Sequence, residues 1–148
     1  MLFRSDAVID TNLRQPERML AKLRAHCRDL AGLPVTVLGL AFKEDTDDMR
    51  ESPAIPIVKM LVDAGARVTA YDPIASNAAR PLLPAAVSYA TSLEQAVASA
   101  AAILLVTRWE EFQRLPELLK HRMPAPWVID GRRVLAHDAF ERYDGIGR

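Results

Sequence analysis

The sequence predicts a doubly wound α/β domain: a mainly parallel sheet of about five strands, helices on both of its faces, and one helix ahead of it. Three observations lead there. Short apolar runs at residues 35–40, 101–106 and 127–130 lack the alternation of a half-exposed strand, which marks strands covered on both sides. Amphipathic segments stand between the runs, so each strand can rejoin the sheet in parallel through a right-handed crossover. Gly32-Leu33-Pro34, Gly65 and Asp72-Pro73 punctuate the changes of period, where the chain has to turn.

Within residues 16–30, Met19, Leu20, Leu23, Cys27 and Leu30 recur at helical steps, and Pro16 suits a first turn. Residues 7–12 read as a separate helical turn. The first strand is 35–40. Ser52 then reads as N-cap and Pro53 as N1 of a helix over 52–64, with Ile55, Val58, Leu61 and Val62 on one side and Gly65 at its end. Residues 67–71 form the second strand, 75–83 a short helix and 87–90 a third strand. Thr91 or Ser92 caps a helix through Ala98, with Glu94 in its first turn. The fourth strand is 101–106, residues 109–120 hold one or two short helices interrupted at Pro116, and 127–130 is the fifth strand. This is a Rossmann-like domain over residues 32–148, preceded by a helical segment over residues 1–31.

The chain has 148 residues, half of them hydrophobic, enough for one domain with a real core. Nineteen basic residues balance nineteen acidic ones, which excludes general attraction to nucleic acid or an anionic membrane; any anion site must be local. A single cysteine, Cys27, rules out an internal disulfide framework and fits a reducing compartment; in its helical setting it reads as filler. The start of the chain lacks the apolar core of a signal peptide, and the apolar run 100–106 is far short of the ~20 residues that span a bilayer, so a cytoplasmic protein is expected.

In an open parallel sheet, ligands sit beyond the carboxyl ends of the strands, where the order of winding reverses. With strand order 3-2-1-4-5, the ends of strands one, four and five are neighbours. They gather Lys43, Arg108, Arg132 and Arg133, with Phe42 and Trp109 placed to pack on a flat ring. Guanidinium forks and aromatic faces suit a phosphorylated ligand that carries a base. Taken singly, each arginine reads first as a solvated surface residue or as a partner of Glu110, Glu111 or Asp130. The loop after strand one keeps only Gly39 where a dinucleotide fingerprint needs several glycines, and the acidic tract 44–48 would repel phosphate. That tract reads as a solvated turn braced by Arg50, Glu51 and Ser52, and no His or Cys cluster supports a metal site. Asp72 stands where an NAD domain places its ribose-binding acid, but without the glycines it reads as a strand stop.

Several motifs in order resemble a known family. Gly39-Leu40-Ala41-Phe42-Lys43, Thr46-Asp47-Asp48-Met49-Arg50-Glu51-Ser52-Pro53-Ala54, Ala70-Tyr71-Asp72-Pro73, Thr107-Arg108-Trp109-Glu110-Glu111-Phe112 and Asp130-Gly131-Arg132 resemble the C-terminal, UDP-binding domain of the UDP-glucose/GDP-mannose dehydrogenases. Asn12-Leu13-Arg14-Gln15-Pro16 is similar to the end of that family's central helix. The resemblance implies binding of a nucleotide sugar, with a lean towards UDP sugars. It implies that the backbone at Phe42 and Lys43 meets the base, that Lys43 meets the phosphates, and that Arg132 also reaches the nucleotide. Arg108, Trp109 and Arg133 are weaker candidates, and Arg133 stands where many members have Asn.

Family members are much longer. They carry an N-terminal NAD-binding domain and a central cysteine that forms a thioester while the sugar C6 alcohol is oxidised twice. Cys27 lacks that glycine-rich context and lies on the wrong side of the Asn-Gln segment. The expectation is therefore a binding module with no catalytic residue and no cofactor of its own, inactive alone, with NAD serving the full-length enzyme. Alternatives are a subunit that completes a dehydrogenase in trans, and a regulatory or interaction module. A homodimer is also compatible: helix 16–30, without its usual neighbours, would expose an apolar stripe.

Overall fold

The computed structural model describes residues 15–41, 49, 52–122, 125–132, 135, 139–140 and 142–145. In chain order the elements are α1 (Gln15–His26), β1 (Pro34–Leu38), α2 (Ala54–Asp63), β2 (Arg67–Tyr71), α3 (Ser76–Ala79) with a 3₁₀ turn at Arg80–Leu82, β3 (Ser88–Tyr89), α4 (Leu93–Val97), β4 (Ala102–Leu105), a 3₁₀ turn at Glu110–Arg114 leading into α5 (Leu115–Leu119), β5 (Trp127–Asp130) and β6 (Tyr143–Gly145). The strands form one parallel sheet in the order β3-β2-β1-β4-β5-β6. The expected order of five is present, and β6 is an additional edge strand. The helical turn at 7–12 and the acidic tract 44–48 lie outside the described residues.

The apolar runs are strands because both faces of the sheet are covered, and their side chains divide with a period of two. Val35 and Val37 of β1, with Ala102 and Leu104 of β4, join Met19, Leu23, Ile57 and Leu61 under α1 and α2. Leu38, Ile103, Leu105 and Val128 face the other way, among Leu93, Phe112 and Leu115. Pairing in register aligns Leu38 with Tyr71 and Leu105, and Leu105 with Asp130. All four carboxyl ends therefore stop in one row, and their loops leave from one edge.

Helix α1 corrects one expectation. Met19, Leu20 and Leu23 are buried against α2 and the sheet, so its apolar stripe is covered within this chain and is not exposed for self-association. The helix also ends at His26, before the expected limit at residue 30. Its last turn is tied to the far edge of the sheet. The His26 ring stacks on Trp127 at 3.6 Å, and Lys22 Nζ and His26 Nε2 lie 2.9 and 3.0 Å from the carboxylate of Asp144 in β6. Burial opposes ionisation of Asp144, but the His26 and Lys22 contacts outweigh it and hold its carboxyl below the usual range.

Two other boundaries shift for local reasons. The regular turns of α2 begin at Ala54, two residues late, yet Pro53 already has helical angles and Ser52 Oγ accepts the Ala54 N–H at 3.1 Å. The cap therefore works where the Ser-Pro pair placed it. Pro116 opens α5 in its first turn, where its missing N–H costs nothing, and does not interrupt an element. In α4, Ser92 is the cap, accepting the Gln95 N–H.

The loop after β1 is held from several sides. Gly39 has φ +90°, and a Cβ there would lie 2.6 Å from both Cβ and N of Thr107. Only glycine permits that backbone angle and that approach together. Its N–H donates to Tyr71 O at 2.9 Å. Beyond it, the buried carboxylate of Asp72 accepts the N–H groups of Leu40 (2.8 Å) and Ala41 (3.2 Å) on Oδ2, and those of Ile74 (2.8 Å) and Ala75 (2.7 Å) on Oδ1. One side chain closes the loops of two adjacent strands.

Gly39→Ala is expected to lose at least about 2–3 kcal/mol, because a side chain at positive φ would also meet the Thr107 backbone. Urea denaturation measures this, and a smaller loss would mean that the crossing can open. Asp72→Ala strands buried amides and is expected to cost about 3–5 kcal/mol, with Asp72→Asn intermediate because one oxygen still accepts.

Candidate functional site

The winding reverses between β1 and β4. The chain leaving β1 passes to α2 on one face, and the chain leaving β4 passes to Phe112 and α5 on the other. A crevice opens at the carboxyl edge between such loops. Its floor is stitched closed by Val106 N–H to Leu38 O (2.8 Å), Gly131 N–H to Leu105 O (2.9 Å) and Thr107 Oγ1 donating to Ala41 O (2.6 Å). Ser52, buried at the foot of α2, donates its hydroxyl to Leu40 O at 2.6 Å. Gly131 has no room for a side chain: a Cβ would lie 2.8 Å from Met19 Sδ and 2.9 Å from Leu105 O.

The electrostatics of this edge differ from those of an anion-cradling loop. In such a loop successive backbone N–H groups face a phosphate. Here the N–H groups of Leu40 and Ala41 are already committed to Asp72, an internal carboxylate placed where an external anion would be met. The Asp72 oxygens are in turn committed to four amides and are not offered to a ribose hydroxyl. The described residues of this edge, Leu40, Ala41 and Asp72, therefore do not fit the pyrophosphate and ribose of NAD. Asp72 is more than the strand stop that the sequence suggests. The Asp-Pro turn signals its local bonds to Ile74 and Ala75, but nothing in the local sequence signals the bonds to Leu40 and Ala41.

Arg108 and Arg132 both lie exposed at this edge, following β4 and β5, and neither guanidinium has an ion-pair partner among the described residues. Glu111 accepts a 2.7 Å hydrogen bond from Tyr71 Oη and lies 3.5 Å from Arg114. Burial and Glu111 push the Tyr71 phenol above its ordinary range, which keeps it a donor. Asp130 is fully buried and accepts the backbone N–H of Arg132 together with Leu135 N–H and Tyr143 Oη. Two of the carboxylates that could have neutralised the arginines, Glu111 and Asp130, are thus used elsewhere.

Trp109 is only 8% exposed and packs in the same core cluster as Leu38 and Phe112, so its ring is not an open platform for stacking. Its Nε1 is a buried donor with no acceptor among the described residues. Phe42, Lys43, Arg50, Glu51 and Arg133 lie outside the described residues. Cys27 stands at the opposite edge of the sheet, lining a groove with Leu33, Ala101 and Trp127 at the amino ends of β1, β4 and β5. Burial pushes its thiol up, against the opposing effect of Arg142.

Comparison with known proteins agrees with the fold and its motifs. Residues 36–137 match the family model described as UDP-glucose/GDP-mannose dehydrogenase family, UDP binding domain. UDP-glucose 6-dehydrogenase AglM of Haloferax volcanii is 46% identical over 143 residues, 95% of this chain and 32% of that protein. UDP-glucose 6-dehydrogenase of Rhizobium meliloti is 43% identical over 81% of this chain and 28% of its own length. Among solved structures, a UDP-glucose dehydrogenase from Pyrobaculum islandicum superposes with a TM-score of 0.83 at 31% identity, over 95% of this chain and 31% of that one. The chain spans about a third of the length of these relatives. With a family model covering most of the sequence and relatives above 40% identity, the chain belongs to the UDP-glucose/GDP-mannose dehydrogenase family and corresponds to its UDP binding domain.

Proposed function

We propose that the crevice at the carboxyl ends of β1, β4 and β5 holds the nucleotide part of a UDP sugar, and that these 148 residues bind it without oxidising it. The observation that carries this reading is the distribution of charge at the edge. The amides of Leu40 and Ala41 are spent on Asp72, while the exposed side chains of Arg108 and Arg132 at the same edge have no ion-pair partner among the described residues. A diphosphate arriving here is met by side-chain cations, whose forked or flexible donors suit phosphate oxygens. Arg132 and Lys43 take the phosphates in this reading, and Phe42 shapes the base pocket. Arg108 and Arg133 add positive potential at the rim.

Oxidation of the sugar belongs, in the same reading, to an enzyme that also contains the remaining two thirds of the relatives' length and uses NAD. The residues present support this division. The β1 loop does not fit a dinucleotide, and Cys27 lies at the amino edge, about a strand's length, 13–16 Å, from the crevice. Its raised thiol pKa also makes it a poor nucleophile.

Isothermal calorimetry with UDP and with UDP-glucose is expected to show saturable binding, weakened about tenfold or more by Arg132→Ala or Lys43→Ala, the scale of a lost hydrogen bond to a charged group. Cys27→Ser should leave that affinity unchanged, and NAD should not titrate. Failure of the unaltered chain to bind UDP would overturn the reading, as would NADH formation from UDP-glucose by this chain alone.

A further inference from the structure

We infer that Asp130 and Tyr143 are positioning residues for Arg132, and that edge strand β6 is thereby part of the machinery of nucleotide binding; the inference rests on the reading of the crevice above. The geometry begins with Gly131. Its N–H is bonded to Leu105 O and it has no space for a side chain between Met19 and β4, so the turn that carries Arg132 starts from a fixed point. One residue on, the backbone N–H of Arg132 donates to Asp130 Oδ1 at 3.0 Å. The side chain of Arg132 reaches solvent from a main chain held at two successive residues.

Asp130 itself needs holding. It is fully buried at the end of β5, between Leu105 of β4 and Gly145 of β6, where an under-solvated carboxylate is costly. Its Oδ2 takes the N–H of Leu135 at 2.8 Å and the hydroxyl of Tyr143 at 2.8 Å. Tyr143 is the first residue of β6, paired with Val128, and its ring stacks on Phe140 with centroids 5.8 Å apart. The hydroxyl gives Oδ2 a second donor beside the Leu135 amide, and Oδ1 keeps one orientation towards Arg132. Without it, Oδ2 loses its only side-chain donor among the described residues, and the carboxylate can turn to share its remaining amides. The mobile part is then the turn that aims Arg132.

A double-mutant cycle tests the inference. Tyr143→Phe keeps the ring and its stacking partner and removes only the hydroxyl. It is expected to weaken UDP binding about three- to tenfold in the unaltered background, part of what one hydrogen bond to a charged group contributes, and to have no further effect in an Arg132→Ala background. Thr36→Val is the control. It deletes a more deeply buried hydroxyl bond, Thr36 Oγ1 to Ala96 O at 2.6 Å, between β1 and α4. It should lower the denaturation midpoint without changing UDP affinity. The inference is overturned if Tyr143→Phe leaves affinity unchanged, weakens it by the same factor in both backgrounds, or does so only to the extent that Thr36→Val does. It is overturned as well if Arg132→Ala binds UDP like the unaltered chain, a result that leaves nucleotide binding itself standing. No UDP binding by the unaltered chain would instead remove the reading on which the inference rests.

Discussion

A carboxylate with four amide donors decides what the carboxyl edge of this sheet can do. Asp72 is buried where β2 ends, and its two oxygens fasten the loop after β1 to the loop after β2. Bonds from amides to an ionised acceptor are about twice as strong as neutral ones, so Leu40 and Ala41 are fastened to the turn at Ile74 and Ala75, where a phosphate cradle would leave its amides free for an anion. Two further bonds complete the restraint. Ser52 holds Leu40 O and Thr107 holds Ala41 O, so Leu40 and Ala41 are each bonded at both N–H and C=O. The loop cannot serve an incoming anion with these amides. Positive charge for a ligand has to come from side chains, and the register of β4 and β5 brings arginines to the same row.

The same solution appears at the other side of the crevice. Asp130 ends β5 as Asp72 ends β2, and it too turns its carboxylate onto backbone N–H groups of the residues that follow. The two differ in what the third partner is. For Asp72 it is the neighbouring loop, and for Asp130 it is a tyrosine hydroxyl from β6. In both cases a buried charge is tolerated because every oxygen has donors, and the result is a strand end whose direction is set by electrostatics as well as by sheet pairing. Glycine does the complementary work. At Gly39 and Gly131 the absence of a Cβ lets one strand end lie against the next, so that the crevice floor is closed before any ligand arrives.

Five strands and their order could be read from the sequence because their hydrophobicity has a simple cause. Val35, Val37, Leu38, Leu104, Leu105 and Ile129 are apolar in unbroken runs since both faces of the sheet are covered. Strand β6 could not be read in this way. It is Tyr143-Asp144-Gly145, two of whose residues disfavour strands, and it exists because Val128 and Asp130 offer an open edge and Asp144 is held by Lys22 and His26. The stripe on α1 was legible as an amphipathic helix, but not what would cover it; the answer, α2 and β5, lies far away along the chain. At the site, the identity of Arg108 and Arg132 as neighbours followed from strand order alone. The commitments of Asp72 and Asp130 did not, since a turn-forming aspartate looks the same whether its carboxylate reaches two residues ahead or 32 residues back. Trp109 shows the same ambiguity, because an aromatic ring at a strand end can equally face a ligand or fill the core.

In the proposed reading the ligand sits at one edge of the sheet and the thiol at the other. At the carboxyl edge are two arginines without an ion-pair partner among the described residues and a floor closed by hydrogen bonds. At the amino edge are the only thiol of the chain and the aromatic and ionic ties of α1 to β5 and β6. A nucleophile has to lie within bonding distance of the reacting carbon, and a strand's length of core stands between the thiol and the proposed ligand. The closed floor at the carboxyl edge suits the holding of a ligand. A loop whose amides are already bonded gives up little freedom when a ligand arrives, so its contribution to affinity is not spent on ordering the protein. Such a surface can hold one end of an extended substrate still while chemistry proceeds at the other, which is the division of labour that a nucleotide-binding domain one third the length of its relatives requires.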